Sequence, residues 1–151
     1  MAIEIAGLAD IVRIHGARQS AAPAIVHEGR TTSYGALDRA ASQVANALIA
    51  EGVQPQARIA HLDKSSDLFF ELLFGVAKAN AVIVSVNWRL APPEILHIIN
   101  DAEAEILFVG EEYFPVIEKI RGELKALGRI GISGNVIADL RTTAQHRELN
   151  R

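Results

Sequence analysis

Residues 82–94, VIVSVNWRLAPPE, carry an apolar run into a polar turn and then into two prolines. The apolar residues over 81–86 are mostly β-branched, which is typical of a strand covered on both faces of a parallel sheet. Asn87-Trp88-Arg89 interrupts the run, and Pro92-Pro93 suits the first turn of a helix. The stretch therefore predicts a strand, a turn and a helix in that order.

The same succession of strand and helix recurs on both sides of this stretch. Short apolar strands are predicted over residues 58–62, 81–86 and 105–109, with one more over 129–132. Helices are predicted over about 67–79, 92–100 and 112–127. Strands that alternate with helices of this length indicate a parallel sheet with right-handed crossovers. The predicted fold class is α/β, a mostly parallel sheet with helices on both faces.

The N-terminal third predicts two helices around a hairpin. Residues 4–15 read as a short amphipathic helix, and residues 24–33 alternate around Glu28-Gly29, which suits a β-hairpin turn. Ser33 is the expected N-cap of a helix that continues to about residue 50. Gly52 then suits the left-handed conformation that ends many helices.

The predicted helix over 67–79 has an unusually wide apolar surface. Asp67, Glu71 and Lys78 share one narrow stripe at helical spacing, and almost all the remaining circumference is apolar. A surface helix needs an apolar face only somewhat wider than 100°. We therefore expect this helix to meet protein on several sides, as it would in a piece of a larger molecule.

Composition excludes several classes of protein. The chain has 151 residues, a formal net charge of −3 and no cysteine, so neither a basic nucleic-acid surface nor a disulfide framework is expected. No apolar run approaches the roughly 18 residues that would cross a bilayer. The N-terminus lacks the basic and apolar regions of a signal peptide, so the cytoplasm is the expected compartment.

Most candidate sites have a structural interpretation. The loop over residues 63–66 opens a helix but lacks the glycines that let a backbone wrap around phosphate, so a capped turn is favoured. Glu111-Glu112 begins a helix, where acidic residues favour the helix dipole. His61, inside a strand, is expected to be a hydrogen-bonded core residue. The histidines are too dispersed for a metal site; they are His15, His27, His61, His97 and His146.

Asn87-Trp88-Arg89 is the strongest candidate site, because open α/β sheets bind ligands beyond the carboxyl ends of their strands. The alternative is a hinge between strand and helix. Asn87 tolerates turn conformations, and Trp88 can cover the edge of the core. Leu90 and Ile95 have the spacing of a hydrophobic staple around the prolines. These features favour the hinge.

The run from about residue 8 to residue 127 resembles the N-terminal region of the adenylate-forming (AMP-binding) acyl-CoA synthetases. Residues 32–37, TSYGAL, correspond to the family's L-T-Y-x-E-L region. Residues 78–85, continued by NWRL at 87–90, correspond to its second signature region. The NWRL form followed by proline and glutamate is most like the fatty-acyl-CoA ligases. The sequence departs from the family pattern at Ala36, Asn80 and Gln56-Ala57.

The resemblance implies a two-step ligase that uses ATP, Mg²⁺ and CoA to convert a carboxylate to an acyl-adenylate and then to a thioester. The family's Ser/Thr/Gly-rich phosphate loop, ribose-binding aspartate and late catalytic lysine find no counterpart in these 151 residues. We therefore assign no catalytic, cofactor-binding or metal-ligating residue to this chain, and expect it to be inactive alone.

Two alternative functions are compatible with the sequence, which also divides into a folded subdomain and a tail. The first alternative is a stand-alone interaction module that binds a complementary polypeptide, or itself, through exposed apolar surface. The second is a small nucleotide-binding α/β domain. Residues 1–131 are expected to form the α/β subdomain, and residues 132–151 a polar tail that is weakly helical or disordered.

Overall fold

A computed structural model of the chain describes residues 3–135. Its helices are α1 (Leu8–Arg18), α2 (Tyr34–Ala50), α3 (Asp67–Lys78), α4 (Pro92–Asp101) and α5 (Phe114–Ile120). Its strands are β1 (Pro23–His27), β2 (Arg30–Ser33), β3 (Arg58–Leu62), β4 (Val82–Val86), β5 (Ile106–Val109) and β6 (Arg129–Ile132). The predicted α/β class is confirmed.

Four strands form one parallel sheet in the order β4-β3-β5-β6. The central strand β3 pairs on both sides, so that Ile59 lies between Ile83 and Ile106. Because β4 and β5 lie on opposite sides of β3, right-handed crossovers place α3 on one face of the sheet and α4 with α5 on the other.

The sheet separates two apolar cores. Residues of β3 alternate between them, with Ile59 facing one core and Ala60 and Leu62 facing the other, and all three are fully buried. The first core joins the sheet to α2 and α3 through Val44, Leu48, Leu72 and Val76. The second joins it to α4 and α5 through Ile95, Ile99, Ile117 and Ile120. Burial on both faces explains why the strands read as continuous apolar runs.

The predicted hairpin is present as a separate antiparallel pair, β1 with β2. Its turn has positive φ at Glu28 (48°) and Gly29 (76°), the combination that a type I′ turn requires. Arg30 ties the hairpin to the start of α3, donating from Nε to Asp67 Oδ2 (3.1 Å) and from Nη2 to Asp67 Oδ1 (3.0 Å). This hydrogen bonding by Arg30 lowers the pKa of Asp67.

The helix α2 has the predicted ends. Ser33 Oγ accepts a hydrogen bond from the backbone N–H of Ala36 (3.2 Å), and Gly52 adopts a φ of 80° after the last turn. Lys78 on α3 donates from Nζ to Asp38 Oδ1 (2.6 Å) and to Ser42 Oγ (2.7 Å), which fastens α2 to α3.

The polar stripe of α3 is itself covered by neighbouring elements. Asp67 is buried against Arg30, Lys78 reaches α2, and Glu71 is half-buried, so that burial raises its pKa. Two apolar side chains of α3, Leu68 (41%) and Phe70 (37%), are left exposed. The helix therefore contacts protein on several sides, but part of its apolar surface faces outward.

The predicted bounds of the first helix are wrong at both ends. The helix α1 begins at Leu8 rather than at residue 4, because Gly7 is its N-cap. The Asp10 carboxylate accepts hydrogen bonds from the backbone N–H groups of Ala6 (3.0 Å) and Gly7 (3.2 Å), which fixes the helix start. Ile5 consequently lies outside the helix and is exposed.

The single helix predicted over 112–127 is also wrong. A 3₁₀ turn over Glu111–Tyr113 precedes α5, a second 3₁₀ turn follows at Arg121–Glu123, and the backbone is then extended. Asn100 of α4 explains the stop, since its amide donates to the carbonyl of Glu123 (3.0 Å) and accepts from the N–H of Lys125 (2.9 Å). These bonds use backbone groups that a continuing helix would need.

The last strand, β6, is anchored from a distant element. Arg129 donates from Nη1 to Glu51 Oε2 (2.8 Å) and from Nη2 to the carbonyl of Glu51 (3.0 Å), at the end of α2. A 3₁₀ turn over Ser133–Asn135 follows β6, and the rest of the predicted polar tail, 136–151, lies outside the described residues. No helix of the described part is long and apolar enough to span a bilayer.

The contact between α2 and α3 depends on the missing side chain of Gly75. A Cβ at this position would lie 2.5 Å from the Val44 side chain and 3.1 Å from the carbonyl of Ala41. We expect Gly75→Ala to destabilise the fold by about 1–3 kcal/mol, the usual cost of overpacking a core. Gly122→Ala is the matched control, because a Cβ there meets nothing within 4 Å. Urea unfolding measures both, and equal stabilities would show that α2 and α3 do not pack this closely.

Candidate functional site

The order of the strands places a crevice at one edge of the sheet. The chain leaves β3 toward β4 on one side and leaves β5 toward β6 on the other, so the connections diverge between the carboxyl ends of β3 and β5. Such a switch point is where open α/β sheets bind ligands. The loops that follow β3, β4, β5 and β6 all meet at this edge.

Asp63 fastens three of these strand ends together. It follows β3 directly, accepts a hydrogen bond from the N–H of Lys64 (2.7 Å) through Oδ1, and accepts one from the Ser133 hydroxyl after β6 through Oδ2. Its carboxylate lies against Gly110 after β5, where a Cβ would be 2.4 Å from Oδ1. Only glycine allows this close approach.

Asn87-Trp88-Arg89 forms the turn between β4 and α4. Asn87 Oδ1 accepts from the N–H of Arg89 (3.0 Å), and the Asn87 carbonyl accepts from the N–H of Leu90 (3.2 Å). Glu94 then accepts from the N–H of the N-cap residue Ala91 (2.8 Å), ahead of Pro92. The structure thus places all three residues in a hydrogen-bonded turn, with Arg89 exposed at the strand edge.

Two cations flank the only tryptophan of the chain. The Arg89 guanidinium lies 4.0 Å from the centre of the Trp88 ring, and Lys64 Nζ lies 5.4 Å from it. We call Lys64, Trp88, Arg89 and Glu112 the Trp88 patch. Glu112 pairs with Lys64 at 2.8 Å, and this bond raises the pKa of Lys64. Within residues 3–135, Arg89 makes no ion pair, so its charge remains available.

The Trp88 patch rests on the second core. Trp88 is half-buried against that core and its ring lies 5.8 Å from the ring of Tyr113. The Tyr113 hydroxyl is buried and has no hydrogen-bond partner among the described residues. The turn therefore ends β4, as the hinge interpretation predicted, and it also presents a cation and an aromatic ring at the carboxyl ends of the strands.

A cavity of about 330 Å³ lies beside the Trp88 patch, at the carboxyl ends of β3, β5 and β6. His61, Asp63, Phe69, Glu111 and Ser133 are among its lining residues. We call it the strand-end crevice. The sequence interpretation did not predict this cavity. The polar residues that directly follow β3 and β6, Asp63 and Ser133, could have suggested that these two strand ends line a common site.

His61 differs from its prediction. It is buried (4% exposed) and its ring lies 4.9 Å from the ring of Phe69, but no described group hydrogen-bonds to its ring nitrogens. Burial lowers the pKa of His61. It is thus a buried histidine that faces the strand-end crevice, and not the hydrogen-bonded core residue that was expected.

The remaining candidates do not assemble into a metal site. Among residues 3–135, no group of three histidine, aspartate or glutamate side chains could hold a metal ion. His15 instead contacts Gln19 (3.0 Å) and the ring of Tyr34 (5.1 Å). His146 lies outside the described residues. Glu111 and Glu112 occupy the predicted position at the start of a helical segment, which is a 3₁₀ turn.

Comparison with known proteins gives consistent results. A family model described as "AMP-binding enzyme" matches residues 12–149. The fatty acid–[acyl-carrier-protein] ligase ScoC of Streptomyces coeruleorubidus is 42% identical over 113 residues, which are 75% of this chain and 22% of that ligase. This chain therefore spans about a fifth of the length of that relative.

Solved structures agree with the sequence comparisons. The anthranilate CoA ligase AuaEII, in complex with anthranoyl-AMP, is 29% identical with a TM-score of 0.82, over 90% of this chain and 27% of that one. The N-terminal domain of FACL13 from Mycobacterium tuberculosis is 26% identical with a TM-score of 0.82, over 91% of this chain and 36% of that domain.

Burial of His61 predicts a loss of stability in mild acid. Its pKa is lowered in the folded state, so the unfolded chain takes up the proton first. The contribution of His61 to stability is full above its unfolded pKa of about 6.5 and is lost as the pH falls through the folded pKa. His61→Gln should flatten the fall in the free energy of unfolding below about pH 6.5. The exposed His97→Gln is the control; an unchanged slope in His61→Gln would contradict this account.

Proposed function

The chain belongs to the AMP-binding enzyme family, and we propose that it forms the N-terminal α/β subdomain of an AMP-forming ligase that joins a fatty acid to a thiol. In the first step a carboxylate oxygen attacks the α-phosphorus of ATP, and pyrophosphate leaves. In the second step the thiol sulfur attacks the acyl carbon, and AMP leaves. The thiol loses its proton as the thioester forms.

The choice of a fatty acid rests on the relatives. The name of the 42% identical ligase specifies a fatty acid, and the NWRL turn is of the fatty-acyl type. The same relative transfers to an acyl carrier protein according to its name, whereas the name of the 29% identical structure specifies CoA. CoA and the carrier protein are therefore the two thiols to compare.

The Trp88 patch is the feature that supports a role for this chain in binding CoA, the thiol substrate. CoA presents a planar adenine and several phosphates, and an aromatic ring beside a guanidinium suits both. Arg89 is exposed and makes no ion pair within residues 3–135, and it lies over Trp88 at the ligand edge of the sheet. We assign Trp88 and Arg89 to contact with the nucleotide of CoA.

The charges of the strand-end loops around the cavity disfavour adenylation by the described residues alone. Attack on the α-phosphorus requires cations and donors held around the phosphates. The strand-end loops carry Asp63, Glu111 and Glu112 instead, and the nearby Lys64 is paired with Glu112. We therefore propose that ATP and Mg²⁺ are bound by the rest of the ligase, and that residues 1–151 do not catalyse the reaction alone.

A second candidate function is that of an interaction module. Several large apolar side chains are exposed by 37–71%, namely Ile3, Ile5, Leu8, Val26, Ile49, Leu68, Phe70 and Val82. Exposed apolar groups that form a contiguous patch mark surfaces that bind protein. The rest of a ligase, a separate polypeptide or a second copy of the chain would each cover them.

Purified 1–151 should not catalyse ATP–pyrophosphate exchange. We expect the exchange of labelled pyrophosphate into ATP, measured with a panel of fatty acids of increasing length, to stay at the level of a protein-free control. Exchange that depends on both the protein and a fatty acid would contradict the assignment of adenylation to the rest of the ligase.

The fluorescence of the single tryptophan should report CoA binding. We expect CoA to quench the fluorescence of Trp88 in a saturable manner. Arg89→Ala should raise the dissociation constant of CoA about tenfold, the effect of losing one charged hydrogen bond.

Arg58→Ala is the matched control for this titration. Arg58 is also exposed, but it lies at the opposite end of β3, so its loss should leave the dissociation constant unchanged. Quenching that Arg89→Ala leaves unaltered, or that both variants weaken equally, would contradict the assignment of Arg89 to the nucleotide.

A further inference from the structure

The strand-end crevice combines apolar walls with polar and charged side chains. Phe69 and Leu68 of α3 line one side and Ile132 of β6 lines another, while Asp63 lies at the junction of the strand ends. Its volume of about 330 Å³ falls within the range of sites that take small molecules. The crevice and the Trp88 patch share Glu112.

His61 is the feature of the crevice that indicates a ligand. Its side chain is almost fully buried, and no group among residues 3–135 pairs with its ring nitrogens. A ligand that enters the crevice can supply the hydrogen-bond partner that the described residues do not give to the His61 ring. Since burial lowers the pKa of His61, the ring is neutral at pH 7 and one nitrogen can accept a hydrogen bond.

The charge of the crevice restricts the class of ligand. Asp63, Glu111 and Glu112 line it, and Lys64 neutralises only Glu112. Asp63 already accepts from Ser133 and from its neighbour's N–H, but a carboxylate has about four acceptor positions. Glu111 is exposed and makes no ion pair within the described residues. The net negative charge disfavours phosphates and carboxylates and favours a cation.

We propose that the strand-end crevice binds a small organic cation, a protonated amine on an aromatic or aliphatic body. The ammonium group donates to Asp63 and to the free nitrogen of His61. The apolar body packs against Phe69 and Ile132. Glu111 contributes electrostatic attraction at the mouth. This site is independent of the proposed ligase function, since it uses neither Trp88 nor Arg89.

Three benzyl compounds test the proposal on the 1–151 chain. Benzylamine, benzyl alcohol and benzoate have nearly the same size and differ in charge. We follow the imidazole carbon-bound protons of His61 by NMR during each titration. Benzylamine should shift them saturably with a dissociation constant on the order of 1 mM, as befits so small a ligand. Benzyl alcohol should bind more weakly, and benzoate should not bind.

A pair of matched variants locates the charge. Glu111→Gln should weaken benzylamine binding about threefold to fivefold, the factor for one unit charge acting at short range through water. Glu105→Gln removes an exposed carboxylate at the opposite end of β5 and should leave binding unchanged. His61→Gln adds a second measurement, followed through the ring protons of Phe69, which also lines the crevice. It should weaken benzylamine binding while circular dichroism shows that the variant remains folded.

Three results would overturn the proposal. The first is the absence of a saturable shift of the His61 ring protons with benzylamine. The second is binding of benzoate as tight as that of benzylamine. The third is an equal effect of Glu111→Gln and Glu105→Gln.

Discussion

The strand β3 is the element on which the other parts of this structure depend. It is paired on both edges and covered on both faces, so Ile59, Ala60 and Leu62 have no exposed surface. Burial of Ile59 and Leu62 stabilises the fold by roughly 1.5–3 kcal/mol for each of these two large side chains. Because β4 and β5 add to opposite edges of β3, the connections diverge beside it. The ligand edge of the sheet is a direct consequence of that arrangement.

Two unlike surfaces result at that edge. On one side, Trp88 and Arg89 offer an aromatic ring and a guanidinium without a carboxylate partner in the described part of the chain. On the other, Asp63 and Glu111 surround a buried histidine. Lys64 and Glu112 pair between the two surfaces and separate their charges. An anionic nucleotide and an organic cation can thus be recognised by neighbouring groups without competing for one site.

Elements that depend on local sequence pattern were predicted correctly. Features that depend on contacts between residues distant in the chain were not. The hairpin, the Ser33 cap and the apolar strands follow from residues close in the chain, and the structure confirms them. The end of α5 depends on Asn100, more than twenty residues earlier, and could not be read from the apolar spacing of 112–127. The strand-end crevice depends on Ser133 meeting Asp63 across seventy residues. The approach of Lys64 to Trp88 likewise requires the strand order, which pattern alone does not supply.

A crystal structure of 1–151 with CoA tests most directly whether the carboxyl ends of the parallel strands form the ligand-binding surface. We expect the adenine to stack on the exposed side of the Trp88 turn and a phosphate to accept hydrogen bonds from the Arg89 guanidinium. CoA bound at the amino ends of the strands, or on a helix face with Trp88 and Arg89 unchanged, would contradict this expectation.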